Sequence, residues 1–170
     1  MKNILVDGYN VINSWQELKE INTGSMENSR QKLIEVLLNY GVYNGYKMII
    51  VFDAHLQKGS LEKKEKVNKY LEVVFTKEGE TADSFIEKFV DSLGRKAEVL
   101  VVTSDSLEQQ TTFQRGAARM SSIEFYHEVK TTEKKIEIET SKRIEENRYD
   151  LGLRIDSEIA KKLEEIRRSK

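Results

Sequence analysis

The sequence predicts an α/β fold built on a central parallel sheet, and three observations carry that reading. Five short runs, at residues 4–6, 48–52, 71–75, 99–103 and 123–126, have the length and β-branched content of strands buried on both faces. Amphipathic stripes lie between them, the alternation that brings strands into a parallel sheet. Several runs also end in acids, at the edge where open parallel sheets bind their ligands.

The elements follow in order. Ile4-Leu5-Val6 gives the first strand and stops at Asp7-Gly8-Tyr9-Asn10. A helix is predicted over 30–40, with Leu33, Val36, Leu37 and Tyr40 on one face. The second strand ends in Asp53, and a shorter helix is expected over 61–69. After the third strand, Ala82, Phe85, Ile86, Phe89, Val90 and Leu93 mark a helix over 82–93. The fourth strand precedes a helix expected over 107–119. Residues 128–147, rich in Lys, Glu and Ile, read as one long polar helix. A short alternation, Leu151-Leu153-Ile155, leads to a last helix capped by Asp156 or Ser157, with Ile159, Leu163 and Ile166 on its inner face. The expected organisation is a domain over 1–130 and a helical extension over 131–170, packed on that domain through its apolar positions.

Composition excludes several chemistries. The 170 residues contain no Cys, so disulfides, thiolate metal sites and thiol nucleophiles are absent. The net charge of −1 leaves any nucleic-acid binding to a local basic patch. No apolar run reaches bilayer-spanning length, and the N-terminus lacks a secretory pattern, so a soluble cytoplasmic protein with no membrane partner is expected.

The acids are the informative feature. Asp7 follows strand one, Asp53 strand two, Glu80 and Asp83 strand three, and Ser104 and Asp105 strand four. Singly, each has a structural explanation: Asp105 as a helix N-cap, Asp83 in a first helical turn, Asp53 in a turn. Together they converge on one rim. Two carboxylates ~5 Å apart repel by about 3 kcal/mol at an effective dielectric near 20, so several in one cleft call for a cation. All-oxygen ligation suits Mg²⁺ or Mn²⁺. Such a site fits metal-assisted phosphodiester hydrolysis, with Asp7 and Asp83 as direct ligands and Asp105 direct or through water. Asn10 and Ser104 would orient water or phosphate, Glu80 and Asp53 would be outer members, and Gly8 would let backbone approach the ligand.

The stretches "VDGYNVI", "VFDAH", "FTKEGETADSFIE" and "VVTSD", in this order, resemble the YacP-like branch of the NYN domain proteins, which have a PIN-like nuclease fold. The resemblance implies a three-layer sandwich with strand order 3-2-1-4-5 and a divalent-metal endoribonuclease. It carries the family's metal-site acids to Asp7, Asp83 and Asp105, with Asn10 at the family's asparagine and Glu80 as a neighbour. The branch includes a ribosome-associated endoribonuclease that cuts mRNA during translation by entering the ribosomal A site. The resemblance therefore implies mRNA and the ribosome as partners of a monomeric chain.

RNA would be held beside the acids. Lys58, Lys63 and Lys64 belong to a basic segment that starts at Asp53, where the alternative is a solvated helix with ion pairs such as Glu62–Lys66. Tyr9 could stack on a base, His55 could touch RNA, and Arg115 could reach it from the helix after Asp105. Two other readings compete. One is a non-catalytic RNA- or ribosome-binding module on the same fold. The other is a receiver-like protein phosphorylated on Asp53, which would want an acidic pair at the first strand where only Asp7 stands.

Overall fold

Ile4, Leu5 and Val6 are all fully buried, because their strand has a neighbour on each edge and helices over each face. The computed structural model describes residues 1–54, 61–94, 97–104, 117–154 and 157–168. In chain order the strands are β1 (Asn3–Asp7), β2 (Lys47–Phe52), β3 (Lys63–Lys66), β4 (Leu71–Phe75), β5 (Val99–Val102) and β6 (Ala118–Met120). The helices are α1 (Gly8–Ser14), α2 (Gln16–Asn22), α3 (Met26–Asn44), α4 (Ala82–Leu93), α5 (Ser122–Arg154) and α6 (Ser157–Arg168). The sheet runs β3-β4-β2-β1-β5-β6 and is parallel except for β3. The order predicted for the five parallel strands is thus kept, with one antiparallel strand added at the edge. Contacts divide the chain into two compact units, Met1–Thr132 and Glu133–Lys170. Among the described residues no helix is long and apolar enough to cross a membrane.

Alternation along the strands sorts the first unit's core into two halves. Ile4, Val6, Ile50, Phe52, Leu100 and Val102 pack with Val11, Trp15, Leu33, Leu37, Phe125 and Val129 from α1–α3 and the start of α5. Leu5, Ile49, Val51, Val74 and Val101 face the other way, against Ala82, Phe85, Ile86 and Val90 of α4. This gives three layers.

Three expectations are corrected. Residues 61–69 form no helix: Lys63–Lys66 pairs antiparallel with β4, and all four residues are exposed. The run carries no apolar stripe to hold a helix down, and charges suit an edge strand. The tight turn into β4 is set by Asn68, whose Oδ1 accepts from the backbone N–H of Tyr70 and Leu71 at 2.7 and 2.8 Å. Residues 123–126 are helix, and the fifth parallel strand lies just earlier, at Ala118–Met120. There Ser121 and Glu124 make reciprocal bonds: Ser121 Oγ accepts from Glu124 N–H, and Glu124 Oε2 accepts from Ser121 N–H. That capping box turns Ile-Glu-Phe-Tyr into a helix start, with Phe125 and Val129 on the buried face. Residues 151–154 continue α5 instead of alternating as a strand. Most of the helix expected over 107–119 lies outside the described residues, but Ala118 and Arg119 belong to β6. Helices α1 and α2, which were not predicted, fill the stretch from Gly8 to Asn22.

Gly8 is required by packing. It is buried, and a Cβ there would sit 2.3 Å from Cε1 of Phe52, whose ring is itself fully buried. Gly8→Ala is expected to lower unfolding stability by about 2 kcal/mol, the cost of overpacking a closed core. Adding Phe52→Leu should recover part of the loss in urea unfolding. A Gly8→Ala protein as stable as the parent would refute this contact.

Candidate active site

The site begins where β1 becomes α1 without a loop. Asp7 ends the strand and also N-caps the helix, its Oδ1 accepting from the backbone N–H of Asn10 at 3.0 Å. Burial pushes the Asp7 carboxyl up to about 6, the Asn10 N–H pulls it down, and the charges of Asp83 and Asp53 push it further up. The structure therefore places two predicted acids, Asp53 at the end of β2 and Asp83 in the first turn of α4, within electrostatic reach of Asp7.

Asn10 closes the opposite wall. Its Oδ1 accepts from the backbone N–H of Ser104 at 2.9 Å and from Ser122 Oγ at 2.6 Å. Ser104 Oγ in turn accepts from Ser122 N–H at 3.2 Å, and Trp15 Nε1 donates to the Ser122 carbonyl at 2.8 Å. The asparagine oxygen is thus occupied in joining α1 to the end of β5 and the start of α5. Ser122 was missed in the sequence, although the Ser121–Glu124 capping box marks it as the first helical residue.

On the β4 side, the buried Thr76 does similar work. Its Oγ1 accepts from Ala54 N–H at 3.1 Å and donates to the Glu80 carbonyl at 2.6 Å. One hydroxyl therefore ties the segment carrying Asp53 to the segment leading into Asp83. Thr81 caps α4 by accepting from Ser84 N–H, which sets Asp83 in the first turn. Glu80 is almost fully buried. Its Oε1 meets Lys88 Nζ at 2.6 Å, while its Oε2 has no hydrogen-bond partner among the described residues.

The donor set fits a hard divalent cation: carboxylate oxygens that repel one another, and one buried carboxylate oxygen left without a partner. Among the described residues no three acids or histidines come close enough to share one ion. Asp105, the predicted third ligand, lies outside the described residues.

Comparison with known proteins agrees with this architecture. The YacP-like NYN domain model matches residues 4–168. The chain belongs to the YacP-like NYN domain family. A relative from Bacillus subtilis (strain 168), the uncharacterized protein YacP, is 43% identical over 166 residues, spanning 97% of this chain and 96% of that one. The crystal structure of Rae1 (YacP) from Bacillus subtilis matches with TM-score 0.76 at 41% identity, over 99% of this chain and 95% of that chain. A point-mutant form matches with TM-score 0.72 at 40% identity, over 84% and 83% of the two chains. The fold is accordingly the PIN-like three-layer sandwich of NYN domains.

The candidate RNA contacts of this NYN domain divide. His55, Lys58 and Arg115 lie outside the described residues. Lys63 and Lys64 sit exposed on β3, paired with Glu65 at 3.8 Å and Glu62 at 3.0 Å. Tyr9 packs its ring on Phe52, with centroids 5.1 Å apart, and accepts a hydrogen bond from Arg30 at 3.1 Å. A groove of about 850 Å³ brings Tyr9, Asp53 and Lys63 together with Arg30 and Phe75. Arg30 was read in the sequence only as a helix boundary.

The raised proton affinity of Asp7 sets a pH dependence. Below pH 3.8, the ordinary value, Asp7 is protonated whether folded or unfolded and costs nothing. As pH rises to about 6 the unfolded chain ionises first, and the native state loses stability, reaching a penalty of about 3 kcal/mol above that pH. Asp7→Asn keeps a good N-cap and removes the charge. With a chelator present, it should be more stable than the parent at pH 8 in urea unfolding, and the difference should shrink toward zero near pH 4. A parent chain that is the more stable at pH 8 would count against a strained Asp7.

Proposed function

We propose that this chain is a divalent-cation-dependent endoribonuclease that hydrolyses RNA phosphodiester bonds and cuts mRNA in the A site of translating ribosomes, in the cytoplasm. Membership of the YacP-like NYN family supports an RNA-related, nuclease-like function. The observation that supports a cation site within that reading is the Asp7 carboxyl, pushed up to about 6 by burial and by the charges of Asp83 and Asp53. A fold keeps such repulsion where a ligand relieves it.

Asp7 and Asp83 would hold Mg²⁺ or Mn²⁺, with Asp105 as a third ligand and Glu80 beside them. The bound cation would supply charge stabilisation at the phosphate and a lowered pKa for a water. The chain's own residues do the rest. Asp7 can take up or release a proton near pH 6 before the ion binds. Asn10 fixes Ser104 through its backbone N–H, and the Ser104 hydroxyl, which accepts from Ser122, keeps its own proton to donate to a phosphate oxygen. Thr76 holds the Asp53 and Asp83 segments in register.

Two measurements test this. Saturating Mn²⁺ or Mg²⁺ should raise the melting temperature of the parent by about 5 °C and leave Asp83→Asn nearly unmoved. In a bacterial-type translation reaction, sequencing of new RNA 5′ ends should reveal discrete cuts. These should need active translation and disappear with Asp83→Asn, while its fold is unchanged. Cuts that persist without translation would indicate a free ribonuclease. Ribosome binding with no cuts would transfer the assignment to a non-catalytic RNA- or ribosome-binding module.

A further inference from the structure

The groove beside Asp53 has a composition that the hydrolytic reading does not use. Tyr9, Asn13, Arg30, Asp53, Lys63 and Phe75 are among the residues that line it. Arg30 dominates its wall. The guanidinium lies 5.7 Å from the Phe75 ring centroid and 6.0 Å from that of Phe52, donates to Tyr9 at 3.1 Å, and pairs with Glu27. Its Nε is buried and has no hydrogen-bond partner among the described residues. A flat cation resting on aromatic rings offers a stacking surface, since guanidinium planes and aromatic faces both receive bases.

Charge decides which part of a nucleotide belongs there. The two cations among the groove's described lining residues are already matched: Arg30 by Glu27, and Lys63 by Glu65 at 3.8 Å. Glu27, Glu65 and Asp53 all line the same groove, so among the described residues it holds three acids against two cations. A phosphate entering would meet net repulsion, whereas a neutral base would not. The volume of about 850 Å³ leaves ample room for a base and its ribose.

We propose that this groove is a nucleobase subsite, which receives one unstacked base of a single-stranded RNA whose backbone passes the Asp7–Asp53–Asp83 acids. The inference rests on the nuclease reading and adds to it a base contact made on stacking surfaces formed by Arg30, Tyr9 and Phe75. It makes the groove selective for single strands, because a paired base is not free to enter.

The test is an abasic scan on the full chain. Short single-stranded RNAs, each lacking the base at one position, are titrated against Asp83→Asn protein to prevent cutting. Removal of the base at one position is expected to weaken binding roughly tenfold, within the range of base–aromatic stacking. In Arg30→Met the same abasic substitution should cost less than about twofold, and the salt dependence of binding should keep its slope. An RNA that binds equally well with every base removed in turn would overturn the subsite, and this arm needs no groove variant to fold. A salt slope that falls by about one in Arg30→Met would also overturn it, by making Arg30 a phosphate contact. If parent protein cuts RNA while the scan is flat, only the subsite fails. If the chain binds no free RNA and also makes no cuts in the translation reaction, both readings fail.

Discussion

The corner at Asp7 asks two incompatible things of one carboxylate. As the N-cap of α1 it gains from being ionised, since it accepts the Asn10 N–H at the positive end of a helix. As the last residue of the central strand it is largely buried and faces the charges of Asp83 and Asp53, which favours the protonated form. Burial and the two acids outweigh the cap. Everything around this residue follows from keeping it in place. Because no loop separates β1 from α1, the next residue must enter a helix under the Phe52 ring, and only a residue without Cβ fits there. The strain at Asp7 and the demand for Gly8 thus have one origin, the directness of the strand-to-helix turn.

From that corner two hydrogen-bonded braces extend in opposite directions along the rim. Asn10 reaches across to Ser104 and Ser122, and Thr76 spans Ala54 and Glu80. Neither brace uses a charged group. That matters beside Asp7, where another acid would add to the repulsion from Asp83 and Asp53. Neutral side chains can hold backbone segments at fixed spacing without altering the field they enclose. Their oxygens are occupied in doing so, which makes Asn10 a positioning residue in this structure: its Oδ1 is taken up before any ligand arrives.

What could be read from the sequence depended on how local each cause is. The central strands announced themselves because both faces are buried, so every residue from Ile4 to Val6 is apolar. Asp7, Asp53 and Asp83 were visible because sheet topology converts position after a strand into position on a rim. Helix α1 stayed hidden because Gly8 and Asn10 look like turn residues, and their helical role comes from Phe52 and Ser122, which are distant in sequence. The edge strand β3 was hidden for a related reason. Lys-Lys-Glu-Lys has no intrinsic preference for a strand, and it becomes one only because β4 offers an open edge and Asn68 sets the turn. At residues 123–126 a short apolar run resembled a buried strand, but the Ser121–Glu124 capping box and the burial of Phe125 with Val129 decide for the helix. Thr76 and Arg30 carried no motif at all, since each acts through partners that only the fold supplies.

The arrangement of cations completes the argument for how such a chain meets its substrate. Lys88 beside Glu80, and Arg30 and Lys63 in the groove, all face carboxylates. With a net charge of −1, the chain has little long-range attraction for a polyanion. Affinity that came mainly from counterion release would need unmatched Lys and Arg near the acids. On the proposed reading, a nuclease with such matched cations would gain little from sampling free RNA in bulk. It would gain much from a partner that presents an RNA strand at high local concentration and in an unpaired state, because tethering would stand in for electrostatic attraction. On the proposed reading, the matching of these cations would be a physical reason for a dependence on the ribosome.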